Sequence, residues 1–364
     1  MAPIKVAIVG TGMSTTVFHA PFILALPDKF TLSVIVERSA TQDKSKARDL
    51  YPGVKVVNTL EQALEEDIDA VWILSINDTH YEYAKTVLNA GKHAVVEKPI
   101  TATSAEATEL AGLAASKNLV LAVYQNRRWD ADYLTVKKLL AAGTFGELSE
   151  FSSHFDRYKN VPNAKAWKDG AGAGADYDLG SHLVDQLLDL FGPPKAVTAQ
   201  VRNSRLIGSA DVPDSFHIQL HYDPTSEAGR KLPLTATARG SILSLITPQQ
   251  RYIVKGTDAS YVKHGVDPQE AQLIAGGAGA IAKEDYAVED KAQAGVLYKL
   301  ANPEKPETII SERGAYGRWF ENVADAISSS DRSRLIVTPE QAALTIRIIE
   351  LAGQSSREGR TINL

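Results

Sequence analysis

The strongest constraint on the fold of this chain is its opening. Ile4-Lys5-Val6-Ala7-Ile8-Val9 is an apolar run broken only by Lys5, and it passes directly into Gly10-Thr11-Gly12 and then into a helix-like segment. A buried strand meeting a glycine turn and a helix is the start of a βαβ unit, because the glycines let the backbone turn tightly and approach a charged group. The rhythm continues. Lys5 to Val9, Thr31 to Val36, Ala70 to Leu74, His93 to Val96 and Val120 to Val123 read as strands, with helical spacing over Leu60 to Glu66, Tyr81 to Ala90 and Ser104 to Ser116. Strands separated by helices pair in parallel through right-handed crossovers. Residues 1–124 are therefore expected to form a doubly wound dinucleotide-binding domain.

After Asn126 the texture changes to longer runs with period-two alternation: Leu148 to Tyr158, Ala196 to Asn203, Ser215 to Tyr222 and Leu234 to Leu243, then shorter runs at Arg251 to Lys255 and Val296 to Leu300. Such alternation argues for an antiparallel sheet with one covered face. Residues 125–364 are expected to form a second, α+β domain, and 364 residues suit two hydrophobic cores. Gly170 to Ala175 and Ala275 to Ala282 read as mobile loops, and Pro339 to Ser356 as a closing helix stopped by Gly359 that packs back on the first domain.

Composition narrows the function. Lys and Arg total 39 against 44 Asp and Glu, the net charge is −5, and no basic run stands out, so nucleic acid is not an expected partner. There are no cysteines, which excludes disulfides and thiolate metal sites. His19, His154, His217 and His221 show no ligand spacing with nearby acids, and no metal is expected. With neither a secretory pattern at the start nor an apolar run long enough for a bilayer, the expected location is the cytoplasm.

Gly10 and Gly12 suit a pyrophosphate approached by backbone, with Met13 and Ser14 opening the helix that follows. The usual third glycine is replaced by Thr15, whose branched side chain should hold the helix further from the first strand. At the end of the second strand the signals oppose each other. Glu37 can accept from a ribose 2′-hydroxyl, favouring NAD, whereas Arg38, with Ser39 and Lys44, can hold a 2′-phosphate, favouring NADP. A solvated turn with an ordinary charge pair reads the same way.

Two further segments carry chemistry. Glu97-Lys98-Pro99 puts a lysine at the carboxyl end of a buried strand, and proline biases Lys98 away from helix. Asp176-Tyr177-Asp178-Leu179-Gly180-Ser181-His182 leads into an apolar helix; from Asp178 onward, helical spacing puts Asp178 and His182 on one face and Leu179, Leu183, Leu187 and Leu190 on another. A histidine takes a proton from an alcohol near neutral pH, a carboxylate orients it, and an ammonium stabilises charge on the reacting oxygen. Singly, a lysine before proline is equally a surface residue, and the Asp/His pair an exposed helix pair. Arg127, Arg128, Tyr158 and Trp167 are candidates to line a sugar site, since guanidinium forks and aromatic faces suit polyhydroxylated rings; Trp129 and Trp319 read equally as core.

These residues resemble the glucose-fructose oxidoreductase, inositol dehydrogenase and MocA group of NAD(P)-dependent oxidoreductases over nearly the whole chain. Its marks are Glu97-Lys98-Pro99 and Asp178-x-x-x-His182. Val17-Phe18-His19-Ala20-Pro21, Gln125-Asn126-Arg127-Arg128-Trp129-Asp130, Phe155-Asp156-Arg157-Tyr158 and Gly265-Val266-Asp267-Pro268-Gln269-Glu270 are most similar to the NADP-dependent scyllo-inositol dehydrogenase branch. The resemblance implies a Rossmann domain plus an open, mainly antiparallel sheet often used for dimerisation, hence a homo-oligomer, a dimer or a dimer of dimers. It places the catalytic lysine, aspartate and histidine on Lys98, Asp178 and His182. It adds Ser75, Asn77, His80 and Glu97 to the cofactor contacts, with Ile76 standing where a proline commonly precedes Asn77. The implied activity is hydride transfer between NADP(H), favoured slightly over NAD(H), and a secondary alcohol or ketone of a cyclic polyol or sugar. An aldose oxidoreductase working at the anomeric carbon and a catalytically silent cofactor-sensing regulator are the alternatives.

Overall fold

Strand β1 (Ile4–Val9) is buried at every residue but Lys5 and sits inside a six-stranded sheet. Its partners are β2 (Phe30–Val36), β3 (Lys55–Val57), β4 (Ala70–Ile73), β5 (His93–Val96) and β6 (Leu121–Val123), in the order β3-β2-β1-β4-β5-β6 and all parallel. The apolar runs of β4, β6 and, from Ala94 on, β5 fit strands buried on both faces. The computed structural model describes residues 2–161, 172–225 and 229–364.

Between these strands lie α1 (Ala20–Ala25), α2 (Lys46–Leu50), α3 (Leu60–Leu64), α4 (His80–Asn89) and α5 (Ser104–Ser116). Helices α3 and α5 start where the expected segments start because each opens on a capping box, Thr59 with Gln62 and Thr103 with Glu106, which satisfies two free backbone donors reciprocally. Strand β3 carries too few residues to show a period, and the expected pattern missed it.

Helix α6 (Ala131–Ala141) precedes the second sheet, which has nine strands: β7 (Leu148–Asp156), β8 (Ala196–Arg202), β9 (Ser215–Tyr222), β10 (Leu234–Ser241), β11 (Gln250–Gly256), β12 (Ala259–His264), β13 (Gly295–Lys299), β14 (Glu307–Ile309) and β15 (Ile362–Asn363). Their order is β14-β13-β12-β11-β7-β10-β9-β8-β15, antiparallel throughout except for the β7–β10 pair. In β9 the alternation is direct: Phe216, Ile218, Leu220 and Tyr222 are buried, while the residues between them are more exposed. Those four join Phe151, Phe155, Tyr252 and Val254 in one core, against which α7 (Ser181–Phe191) lays Leu183, Val184, Leu187 and Leu188.

Two compact units emerge: residues 1–126 with 269–286 and 315–343, and residues 127–268 with 287–314 and 344–364. The chain thus returns to the first unit twice after residue 126. Part of Ala275 to Ala282, expected as a mobile loop, is helical: α8 covers Gln269–Gly276, and a 3₁₀ turn covers Gly277–Ala280, with Ala280 buried. Helices α9 (Gly317–Ser328) and α10 (Pro339–Glu358) follow, and Gly359, at φ +63°, ends α10 as expected. Among the described residues no helix is long and apolar enough to cross a membrane.

Candidate functional site

In the first unit, β1, β4 and β5 are parallel neighbours, so Gly10-Thr11-Gly12, Ser75 and Lys98 all leave the sheet at its carboxyl edge. The strand order reverses between β1 and β4, the position where sheets of this kind bind their ligands. Gly10 must be glycine: it has φ +107°, and a Cβ there would lie 2.8 Å from the Leu74 carbonyl oxygen. A Cβ on Gly12 would meet nothing within 4 Å, which leaves the open cradle that a pyrophosphate needs. Thr15 is fully buried, and its hydroxyl donates to the Gly10 carbonyl at 2.8 Å. The branched residue is accommodated by a wide π-type turn over Ser14–His19 in place of a regular helix start. Met13 is exposed at its entrance.

Glu37 is buried and committed. Its carboxylate accepts from the Ser45 hydroxyl at 2.6 Å and from the amides of Lys46 and Ala47 at 3.0 and 2.9 Å. Burial pushes this acid up, but those three donors with Arg48 beside them outweigh it and hold it below the usual carboxylate range. Both oxygens, expected at a ribose, thus accept bonds from the start of α2. Arg38 and Ser39 are exposed, as is Lys44. Sequence reasoning missed Lys46, whose Nζ crosses to the Thr11 carbonyl at 2.6 Å and so stands over the glycine turn. The signal was its place at the start of α2, which only the Glu37 contacts define.

Asn77 opens a short 3₁₀ turn, Asn77–Thr79, and Thr79 stands at the N-cap of the helix that follows. Ser75 Oγ pairs with Thr79 Oγ1 at 2.6 Å. His80, expected among the cofactor contacts, is fully buried, with Nδ1 2.8 Å from the Pro99 carbonyl oxygen and Nε2 3.3 Å from that of Ser75. Burial lowers its pKa, against the opposing pull of those two carbonyls and Glu97. It braces the Glu97-Lys98-Pro99 segment. Lys98 is half-buried, and its bond to Pro99 is cis.

In the second unit Asp178 lies in a π-type turn, Asp176–Gly180, that leads into α7. Its amide donates to Gly174 O at 2.9 Å, and its side chain is exposed. His182 is buried in the first turn of α7, while Leu179, Leu183 and Leu187 enter the core as the spacing required. Asp176, not anticipated, is 6% exposed, and its Oδ1 has no hydrogen-bond partner among the described residues. Burial pushes its pKa up to about 6, against the Tyr177 amide and its own.

Both arginines expected to line a sugar site are buried and carry ion pairs within the second unit. Arg128 grips Asp185 with two bonds of 2.8 and 2.7 Å and Asp189 with a third of 3.0 Å, which occupy three of its five N–H donors. Arg127 pairs with Asp130 at 3.3 Å and lies 5.0 Å from the Phe155 ring centroid. Gln186 ties this cluster to another: it donates to Arg127 O at 2.6 Å and accepts from Arg251 and the Tyr252 hydroxyl, while Arg251 also bonds Asp132 and Ser153. Asp267 accepts from the Ala131 amide at 2.7 Å. Residues of the Gln125–Asp130 and Gly265–Glu270 motifs thus meet one another within this network. Tyr158 is 55% exposed and bridges Leu243, and Trp167 lies outside the described residues. Trp129 and Trp319 are core.

Residues 4–125 match a family described as an oxidoreductase family with an NAD-binding Rossmann fold, and residues 137–364 match that family's C-terminal alpha/beta domain. The chain is 42% identical to an uncharacterized oxidoreductase of Schizosaccharomyces pombe over the full length of both. It is 38% identical to the scyllo-inositol 2-dehydrogenase (NADP+) IolW of Bacillus subtilis, covering 99% of this chain and 96% of that one. The solved structure of an oxidoreductase, YvaA, from Bacillus subtilis superimposes with a TM-score of 0.89 at 36% identity, covering 100% and 99% of the two chains.

Proposed function

This chain belongs to the Gfo/Idh/MocA family of oxidoreductases, and from that premise we propose that it interconverts a secondary alcohol and a ketone on a cyclic polyol of the inositol type, using NADP(H) in preference to NAD(H). What carries the reading is the common carboxyl edge at which Gly10-Thr11-Gly12 and Lys98 leave β1 and β5. The dinucleotide supplies the hydride acceptor or donor. Gly10, Gly12 and Ser14 hold its pyrophosphate by backbone, with Ser75 and Asn77 at the end of β4. Lys98 donates to the reacting oxygen and stabilises charge on it, His182 takes the hydroxyl proton during oxidation, and Asp178 orients His182 or the substrate. The relative named as an NADP-dependent scyllo-inositol 2-dehydrogenase supports both the substrate class and the cofactor.

The cofactor preference has a physical basis of its own. A carboxylate facing a 2′-phosphate would repel it, but Glu37 is turned into α2. Arg38 and Lys46 remain as cations on this edge. The test is initial-rate assay of the purified chain with NADP+ and NAD+ against a panel of inositol isomers, aldoses and acyclic polyols, with the product's stereochemistry determined. Oxidation of a ring hydroxyl with NADP+ preferred is expected. A lactone product would indicate chemistry at the anomeric carbon instead, and cofactor binding with no turnover would overturn the reading.

A further inference from the structure

We propose that His19 is a positioning residue for Lys98, acting through the carboxylate of Glu97; this rests on the reading of Lys98 as donor to the reacting oxygen. His19 closes the π-type turn after the glycine loop and is fully buried. Its ring is packed among Tyr124, at 4.1 Å between centroids, Phe320 at 5.6 Å and Trp319 at 6.1 Å. That pocket is itself fastened, by the Tyr124 hydroxyl on Phe18 O and the Trp319 indole on Val123 O. A phenylalanine would fill such surroundings without the desolvation cost of an imidazole. What the imidazole adds is one polar contact: Nε2 lies 3.1 Å from Glu97 Oε1, while Nδ1 has no hydrogen-bond partner among the described residues.

Glu97 passes this contact on. Its own amide closes the β5 ladder on Ile73 O, and its Oε2 accepts the Lys98 amide at 2.9 Å. The last residue of β5 paired with β6 is Val96, so the side chain of Glu97 holds the Lys98 amide just beyond the ladder. His80 fixes the far side of the segment through Pro99 O. The lysine therefore departs from a backbone point gripped on both sides. The groups acting on Glu97 are His19, Lys98 and His80. Burial pushes the Glu97 acid up, and the His19 hydrogen bond leads the effects that outweigh it and keep it below the usual carboxylate range. Without a donor at position 19, burial is less opposed, and the carboxyl takes up a proton or swings, loosening the Lys98 amide.

The experiment compares His19→Phe, which keeps the ring and deletes the donor, with His19→Gln, which returns an amide donor near Nε2, using Lys98→Met as reference. For His19→Phe, kcat is expected to fall about a hundredfold, the scale of an ångström-sized misplacement of a reacting group. NADPH affinity should stay within about twofold, and the acidic limb of kcat/KM should move to higher pH, because a carboxyl freed from its donor protonates sooner. His19→Gln should recover most of the turnover and return the limb. Adding Glu97→Ala to His19→Phe should cost little more, as for residues that act in series. If His19→Phe keeps near-normal turnover while Lys98→Met loses it, or if its loss lies in NADPH affinity, the positioning role is overturned. If Lys98→Met itself retains turnover, the underlying reading of Lys98 fails instead. Should His19→Phe not fold, His19→Leu takes its place in the same comparison.

Discussion

Glu37 Oε2 lies 2.6 Å from the hydroxyl of Ser45, and that contact ties the acid at the end of β2 to the start of α2. Here the carboxylate organises α2, and through the Lys46 amide it fixes the residue whose Nζ reaches the glycine turn. Glu37→Gln should therefore leave NADPH affinity within about twofold while lowering the melting temperature, since a charge-assisted cap is weakened. A tenfold gain in NADPH affinity would mean that the carboxylate faces the phosphate after all.

Lys46 has the complementary expectation. Lys46→Met removes a cation from the cofactor edge, and a hydrogen bond to a charged group contributes about 1.5–3 kcal/mol. NADPH affinity should drop about tenfold or more with NADH little changed, as read by fluorescence titration. An equal loss for both cofactors would reduce Lys46 to a tie on the glycine loop.

Lys98→Met keeps the apolar stem and deletes the ammonium. Loss of one transition-state donor costs about 2.7–4 kcal/mol, or a hundred- to a thousandfold in kcat, with cofactor affinity preserved. A surface lysine would move turnover little and stability by no more than about half a kilocalorie. Steady-state and binding measurements on one preparation separate the two.

Arg128 distinguishes scaffold from substrate contact. Arg128→Leu leaves Asp185 buried without its guanidinium, and breaking such a pair costs about 3–5 kcal/mol. Denaturant unfolding should reveal that loss directly. Intact stability with a raised substrate KM would return Arg128 to the sugar site.

Asp176 makes stability depend on pH. Its pKa in the fold is raised from 3.8 to about 6, so the folded chain holds a proton that the unfolded chain has released, and stability falls as pH rises between those values. The difference corresponds to about 3 kcal/mol at pH 7 and above. Asp176→Asn should melt higher than the wild type at pH 7.5, with the gap closing below pH 4. A gap that persists at pH 3.5 would locate the effect elsewhere.

Local patterning determined the parallel sheet, because strands buried on both faces must be apolar, as β4, β6 and β5 after His93 are, and helices such as α3 and α5 declare their starts through capping boxes. It also determined the alternation of β9, the core leucines of α7, the need for glycine at position 10, and the lysine at the end of β5. Tertiary structure decided which polar side chains are already spent. Arg128 and Asp185 are 57 residues apart in sequence, His19 and Glu97 78, and Arg251 and Asp132 119, and no periodicity links such positions. A guanidinium or carboxylate looks equally available in a sequence whether it faces solvent or a buried partner. Only the folded chain supplies the desolvation and the partner, and this is why the contacts of Glu37, His80 and Arg128 were not legible in the sequence while the turn at Gly10 was.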